Sequence, residues 1–202
     1  MKVKICGIRD IDSLQHACDL DVDFVGFIMA DESPRKISKN FFRSLRTFNF
    51  KNTIPVFVFV NPSIDAVIEI TKNIPTSILQ FHGDEKNNFC EQFKQPFWKV
   101  IRIEDIKSLK QIKEFPSADR ILLETYSNVS YGGTGKSFDW SILDKISLEK
   151  KFILAGGINL HNLKLAISLN PWCIDLNSGV ESSLAFKDKT LMGKALQIVK
   201  NE

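Results

Sequence analysis

Short apolar runs alternate with stretches of helical character from one end of this chain to the other, and that alternation limits the possible folds more than any other feature. Val3 to Cys6, Asp23 to Ile28, Ile54 to Val60, Ser77 to Phe81, Phe97 to Ile101, Arg120 to Leu123, Phe152 to Ala155 and Cys173 to Leu176 read as strands. They are apolar almost throughout, as parallel strands buried on both faces should be. Helices are predicted from Asp10 or Asp12 to about Asp19, over Lys39 to Phe48, from a Ser63 cap over Ile64 to Lys72, and from an Asp84 cap to about Phe93. Further helices are predicted over Ile106 to Glu114, Trp140 to Lys145, from an Asn159 cap to Leu169, and over Lys187 to Val199. About eight strand–helix units in strict succession fit a closed (β/α)8 TIM barrel, with an open doubly wound sheet as the alternative. No linker or composition shift divides the chain, so residues 1–202 are expected to form a single domain.

The chain has 202 residues and a formal net charge of +3. So small a charge predicts neither nucleic-acid nor membrane binding. No apolar run approaches the length of a membrane span, and Met1 to Asp10 has no signal-peptide pattern. The four cysteines, Cys6, Cys18, Cys90 and Cys173, show no CxxC spacing. They are read as reduced thiols of a cytoplasmic protein, with no disulfide framework and no metal site.

One strand delivers an acid. Ile121-Leu122-Leu123 is followed at once by Glu124, then by a polar loop containing Tyr131-Gly132-Gly133-Thr134-Gly135-Lys136-Ser137-Phe138-Asp139-Trp140. A carboxylate is costly inside a buried strand but tolerable where the strand emerges into a polar site. The loop is not a Walker A motif, because Ser130 stands where the first glycine is needed. Nor is it a dinucleotide fingerprint, because Phe138 replaces the third glycine.

In a (β/α)8 barrel the active site forms from the C-terminal strand ends and the loops beyond them. Those positions here include Cys6-Gly7, Ser33-Pro34-Arg35-Lys36, Asn61, His82-Gly83-Asp84, Arg102, Glu124, Gly156-Gly157 and Asn177-Ser178-Gly179. The last two sets follow strands seven and eight, where barrels often bind phosphate through backbone N–H groups and a helix N-terminus. Each is a tight turn on its own; together they predict a site for a small phosphorylated ligand.

The segments Lys4-Ile5-Cys6-Gly7-Ile8, Gln80-Phe81-His82-Gly83-Asp84-Glu85, Tyr131 to Trp140, Leu154-Ala155-Gly156-Gly157-Ile158-Asn159 and Ser178-Gly179-Val180-Glu181 resemble the phosphoribosylanthranilate isomerase family of tryptophan biosynthesis. The resemblance runs in register over nearly the whole chain. It implies a (β/α)8 barrel that performs an Amadori rearrangement of N-(5′-phosphoribosyl)anthranilate without metal or cofactor, as a monomer or homodimer. It places the general base at Cys6 and the general acid at Glu124, where the family usually has aspartate. It places Arg35 at the anthranilate carboxylate, His82 in the pocket wall, and Gly156, Gly157, Asn177, Ser178 and Gly179 at the phosphate. Asn177 stands where a serine is more usual.

A thiol can act as base only as thiolate, so basic neighbours should lower the pKa of Cys6. Lys4 shares its strand face by the two-residue period. Without the resemblance, Cys6 reads first as a small buried core residue, which is what most free cysteines are. Two other functions remain: a different sugar-phosphate isomerase, and a degenerate barrel that binds a phosphorylated ligand without turnover. The histidine-pathway isomerase uses paired aspartates at strands one and six, and Cys6 argues against it.

Overall fold

The computed structural model describes residues 1–126, 137, 139–145 and 151–202. Eight parallel strands close into a barrel in sequential order. They are β1 (Lys2–Cys6), β2 (Phe24–Ile28), β3 (Ile54–Phe59), β4 (Ile78–Phe81), β5 (Phe97–Ile103), β6 (Arg120–Thr125), β7 (Phe152–Leu154) and β8 (Cys173–Leu176). The open-sheet alternative is excluded because β1 pairs with both β2 and β8, Lys4 lying beside Phe24 on one side and Asp175 on the other. Among the described residues, six α-helices accompany the strands: α1 (Ile11–Asp19), α2 (Lys39–Leu45), α3 (Ile64–Asn73), α4 (Asn87–Cys90), α5 (Leu163–Ser168) and α6 (Lys189–Asn201). The segments Ile106–Glu114 and Trp140–Lys145 are 3-10 helices.

Side-chain oxygens start most of the helices. Asp10 accepts from Ser13 N, Ser38 from Phe41 N, Ser63 from Ala66 N and Asp188 from Leu191 N, each using one of the N–H groups a helix start leaves unpaired. Two expected caps act elsewhere. Asp84 accepts from Arg102 Nη2 at 2.9 Å, and α4 begins only at Asn87. Asn159 accepts from His161 N and donates to Gly157 O, so α5 begins after Asn162. The expected start of the last helix moves too, because Phe186–Lys187 pairs with Glu181–Ser183 in an antiparallel hairpin (β9 and β10) that sequence reasoning missed.

The period of two sorts the strands into two cores. One face packs outward against the helices, with Ile5, Phe27, Phe57, Leu79, Phe81, Ile101 and Leu123 all buried. The other fills the lower barrel with Phe24, Val56, Ile78, Trp98, Val100, Leu122, Ile153 and Cys173. Trp98 is fully buried there, edge-on to Phe24 at 4.9 Å and to Trp172 at 6.1 Å, while the Arg120 guanidinium covers the Trp172 ring at 4.4 Å. These aromatic groups plug the N-terminal end, and an open cavity lies toward the C-terminal end.

Trp98→Ala empties the centre of that plug. A buried tryptophan truncated to alanine costs about 3–5 kcal/mol, so melting followed by circular dichroism should fall by roughly 10 °C. A shift below about 3 °C would show that the plug is not a principal source of stability.

Candidate active site

The C-terminal ends of the strands surround a cavity of about 550 Å³. Cys6, Arg35, His82, Glu124, Gly156, Gly157, Asn177 and Ser178 line it, joined by Gln80 and Asp175. Gly179 stands behind this wall. A side chain there would drive into Ile158 O, at 1.9 Å from an added Cβ, and Gly179 forms a parallel bridge with Asn159. The two proposed phosphate loops are therefore tied to each other. Gly156 and Gly157 hold φ values of 87° and 68°, a region that favours glycine. A hairpin, not a helix, follows the second loop, which removes the helix N-terminus expected there. The segments Tyr131 to Lys136 and Phe138 lie outside the described residues.

Cys6 ends β1 with its thiol crowded against β2. A Cβ on Gly26 would lie 2.7 Å from Cys6 Sγ and 3.1 Å from Lys4 Cε, so the missing side chain makes room for both groups. Lys4, buried completely, donates to Asp175 Oδ2 at 2.8 Å. Burial works to strip its proton, but the charges of Asp175 and Cys6 hold the Lys4 ammonium above its ordinary range. Cys6 departs from the expectation. Burial pushes its thiol up, and the nearby Lys4 ammonium pulls down without prevailing. Basic neighbours are present, as the strand period predicted, but desolvation outweighs them. Asp175 is likewise pushed up by burial, against the pull of Lys4; its Oδ1 is buried without a hydrogen-bond partner among the described residues.

Glu124 leaves β6 one residue before the strand ends, level with Arg102 on β5. Its Oε2 lies 2.7 Å from His82 Nε2, an ion-pair distance without the alignment of a hydrogen bond. The loop that carries His82 is braced from below. Glu85 accepts from Asn61 N, Gly83 N and Lys99 Nζ, and Lys99 also donates to Gly83 O at 2.6 Å.

Arg35 is buried and paired. Its Nε and Nη2 donate to Glu181 Oε1 and Oε2, both at 2.8 Å, and Lys187 Nζ donates to Glu181 Oε1 at 2.8 Å and to Asn177 O and Oδ1 at 2.9 Å. Sequence reasoning quoted Glu181 only within a motif and gave Lys187 to a helix. Their pairing depends on a hairpin and a partner far along the chain, which no local period reveals. Asp175 carried a readable signal, a charge inside the apolar run Cys173 to Leu176, the same signal that singled out Glu124. Among the described residues, no group of three or more His, Cys, Asp or Glu could hold a metal ion, and no helix is long and apolar enough to cross a membrane.

A family model described as N-(5'phosphoribosyl)anthranilate (PRA) isomerase matches residues 3–198. A curated relative from a Thermoanaerobacter species, named N-(5'-phosphoribosyl)anthranilate isomerase, is 37% identical over 202 residues, which cover 99% of this chain and 98% of that protein. The solved phosphoribosyl anthranilate isomerase from Thermotoga maritima has a TM-score of 0.88 to this structure at 26% identity, over 100% of both chains. A solved isomerase of that name in complex with reduced 1-(o-carboxyphenylamino)-1-deoxyribulose 5-phosphate shares the fold, with a TM-score of 0.85, 24% identity and 100% of both chains covered.

The direction of the Cys6 shift can be tested by alkylation. A raised pKa leaves less thiolate at neutral pH, so iodoacetamide modification of the Cys6 peptide, followed by mass spectrometry, should still accelerate as pH passes the ordinary thiol value of 9.0. A rate already level at pH 7 would mean that the basic neighbours prevail.

Proposed function

The chain belongs to the N-(5′-phosphoribosyl)anthranilate isomerase family, and from that membership we propose how its cavity performs the family's reaction. The protein is an isomerase of tryptophan biosynthesis that rearranges N-(5′-phosphoribosyl)anthranilate to 1-(2-carboxyphenylamino)-1-deoxyribulose 5-phosphate. The observation that carries the proposal is the convergence of Cys6 and Glu124, from strands on different sides of the barrel, on one cavity with glycine-rich loops at its rim.

Glu124 is the general acid. It protonates the ribose ring oxygen, the C1′–O bond breaks, and the nitrogen lone pair forms the Schiff base. Cys6 is the general base and removes the C2′ proton, so that the electron pair moves into a C1′–C2′ double bond and neutralises the iminium nitrogen. Transfer of the enol proton from the C2′ oxygen to C1′ then gives the aminoketose. Each group should contribute about 10² to 10⁴ in rate. Because burial raises the Cys6 thiol, the base is a minority thiolate formed beside Lys4, so turnover limited by that base should still climb as pH rises toward the ordinary thiol range.

Arg35 receives the anthranilate carboxylate, a task suited to its planar fork of donors. The backbone of Gly156, Gly157, Ser178 and Gly179, with Asn177 alongside, receives the phosphate at the opposite end. His82 stands against Glu124 and orients the acid. Residues 1–202 act as one catalytic domain without metal or cofactor, in the cytoplasm, on a small phosphorylated substrate, as a monomer or homodimer.

The test is loss of substrate fluorescence with purified protein. Cys6→Ser should lose at least about 10² in kcat with little change in KM, since a serine hydroxyl stays protonated throughout the working range. Glu124→Gln should remove measurable turnover, whereas Glu124→Asp, the family's usual residue, should retain it. Wild-type protein that binds product but never turns substrate over, and gains activity as Glu124→Asp, would instead identify a degenerate barrel.

A further inference from the structure

We propose that Glu181 is the positioning residue for Arg35: it occupies one edge of the guanidinium so that the other edge is presented to the carboxylate of the substrate. The inference rests on the Arg35 role above. A guanidinium has two edges able to grip a carboxylate, Nε with Nη2 and Nη1 with Nη2. Glu181 fills the first, with two bonds of 2.8 Å, and the side chains of both partners are almost fully buried at 6% and 4% exposure. The second edge remains for a ligand, so one arginine can carry a structural carboxylate and a substrate carboxylate together.

Glu181 is itself held from two further directions. Lys187 Nζ donates to Oε1 at 2.8 Å and Ala185 N donates to Oε2 at 3.2 Å. Lys187 reaches on to Asn177 O and Oδ1 at the end of β8. A single carboxylate thus joins the group that receives the aromatic carboxylate to the strand end that leads into the phosphate loop. It sets the separation of two anion subsites and keeps two buried cations from repelling each other. Two cations against one anion leave this wall positive, which suits a ligand that is anionic at both ends.

The test compares two inhibitors, a reduced product analogue and the same molecule lacking the ring carboxylate, on wild type, Glu181→Gln, Arg35→Ala and the double variant. Glu181→Gln keeps the shape but removes the charge and half of the grip on Arg35. It should weaken the carboxylate-bearing analogue about tenfold while leaving the other within about twofold, and should raise KM more than it lowers kcat. In the Arg35→Ala background the same change should have less than about a twofold effect, because the group it positions is gone. Equal losses for both analogues, or full additivity in the double variant, would overturn the proposal and leave Glu181 a general support of the hairpin. If Glu181→Gln unfolds, Glu181→Asp, which keeps the charge but shortens the reach, decides by the same two ratios. A wild type without turnover would sink the isomerase reading. A normal wild type with no discrimination between analogues in the variants would sink this one alone.

Discussion

The barrel closes on a buried ion pair. Lys4 of the first strand and Asp175 of the last lie level across the seam, and their charges meet at 2.8 Å inside the barrel. Neither could be tolerated there alone, since removing one partner from such a pair strands the other as an uncompensated charge, at a cost of about 3–5 kcal/mol. The barrel's first and last strands are thus joined by side chains as well as by the backbone ladder. The pair also sets the conditions above it. It places an ammonium next to the Cys6 thiol and, among the described residues, leaves the second oxygen of Asp175, a residue of the cavity wall, buried without a hydrogen-bond partner.

The two ends of the barrel use opposite chemistry for one purpose. At the N-terminal end, Phe24, Trp98 and Trp172 fill the interior with rings that need few polar partners. At the C-terminal end, rigidity comes from buried ion pairs: Lys99 with Glu85 under the His82 loop, and Arg35 and Lys187 with Glu181 across the mouth. A hydrocarbon brace could hold those loops equally still, but it could not leave donors and acceptors aimed at a charged ligand. The polar braces serve both needs, and each carboxylate among them meets more than one donor.

The parts of this arrangement legible in the sequence were those with a short period. Apolar runs located all eight barrel strands, and the Asp10 and Ser63 caps located the starts of α1 and α3. Asp84 and Asn159 misled because their side chains bond elsewhere, to Arg102 and within a turn. Glu124 stood out because a carboxylate ends an apolar run, whereas Cys6 alone reads as a small core residue and was singled out only by the family resemblance. The Glu181 network and the Gly179–Asn159 bridge were not readable, because each joins segments brought together only by the barrel. The direction of the Cys6 pKa was misjudged for a related reason. Strand period shows which charges are neighbours but not how completely water is excluded from them.

The aromatic plug has a kinetic consequence. With Trp98 filling the barrel interior below, the pocket opens, among the described residues, at the C-terminal mouth, and what enters there leaves by the same way. Substrate and product differ only by internal rearrangement and carry the same anionic ends, so each excludes the other from the same doorway. Product must back out before the next molecule descends, which makes the product a competitive inhibitor by architecture. The pace of traffic at the rim, where Arg35 and the tied glycine loops stand, becomes a ceiling on turnover independent of how fast protons move at the bottom.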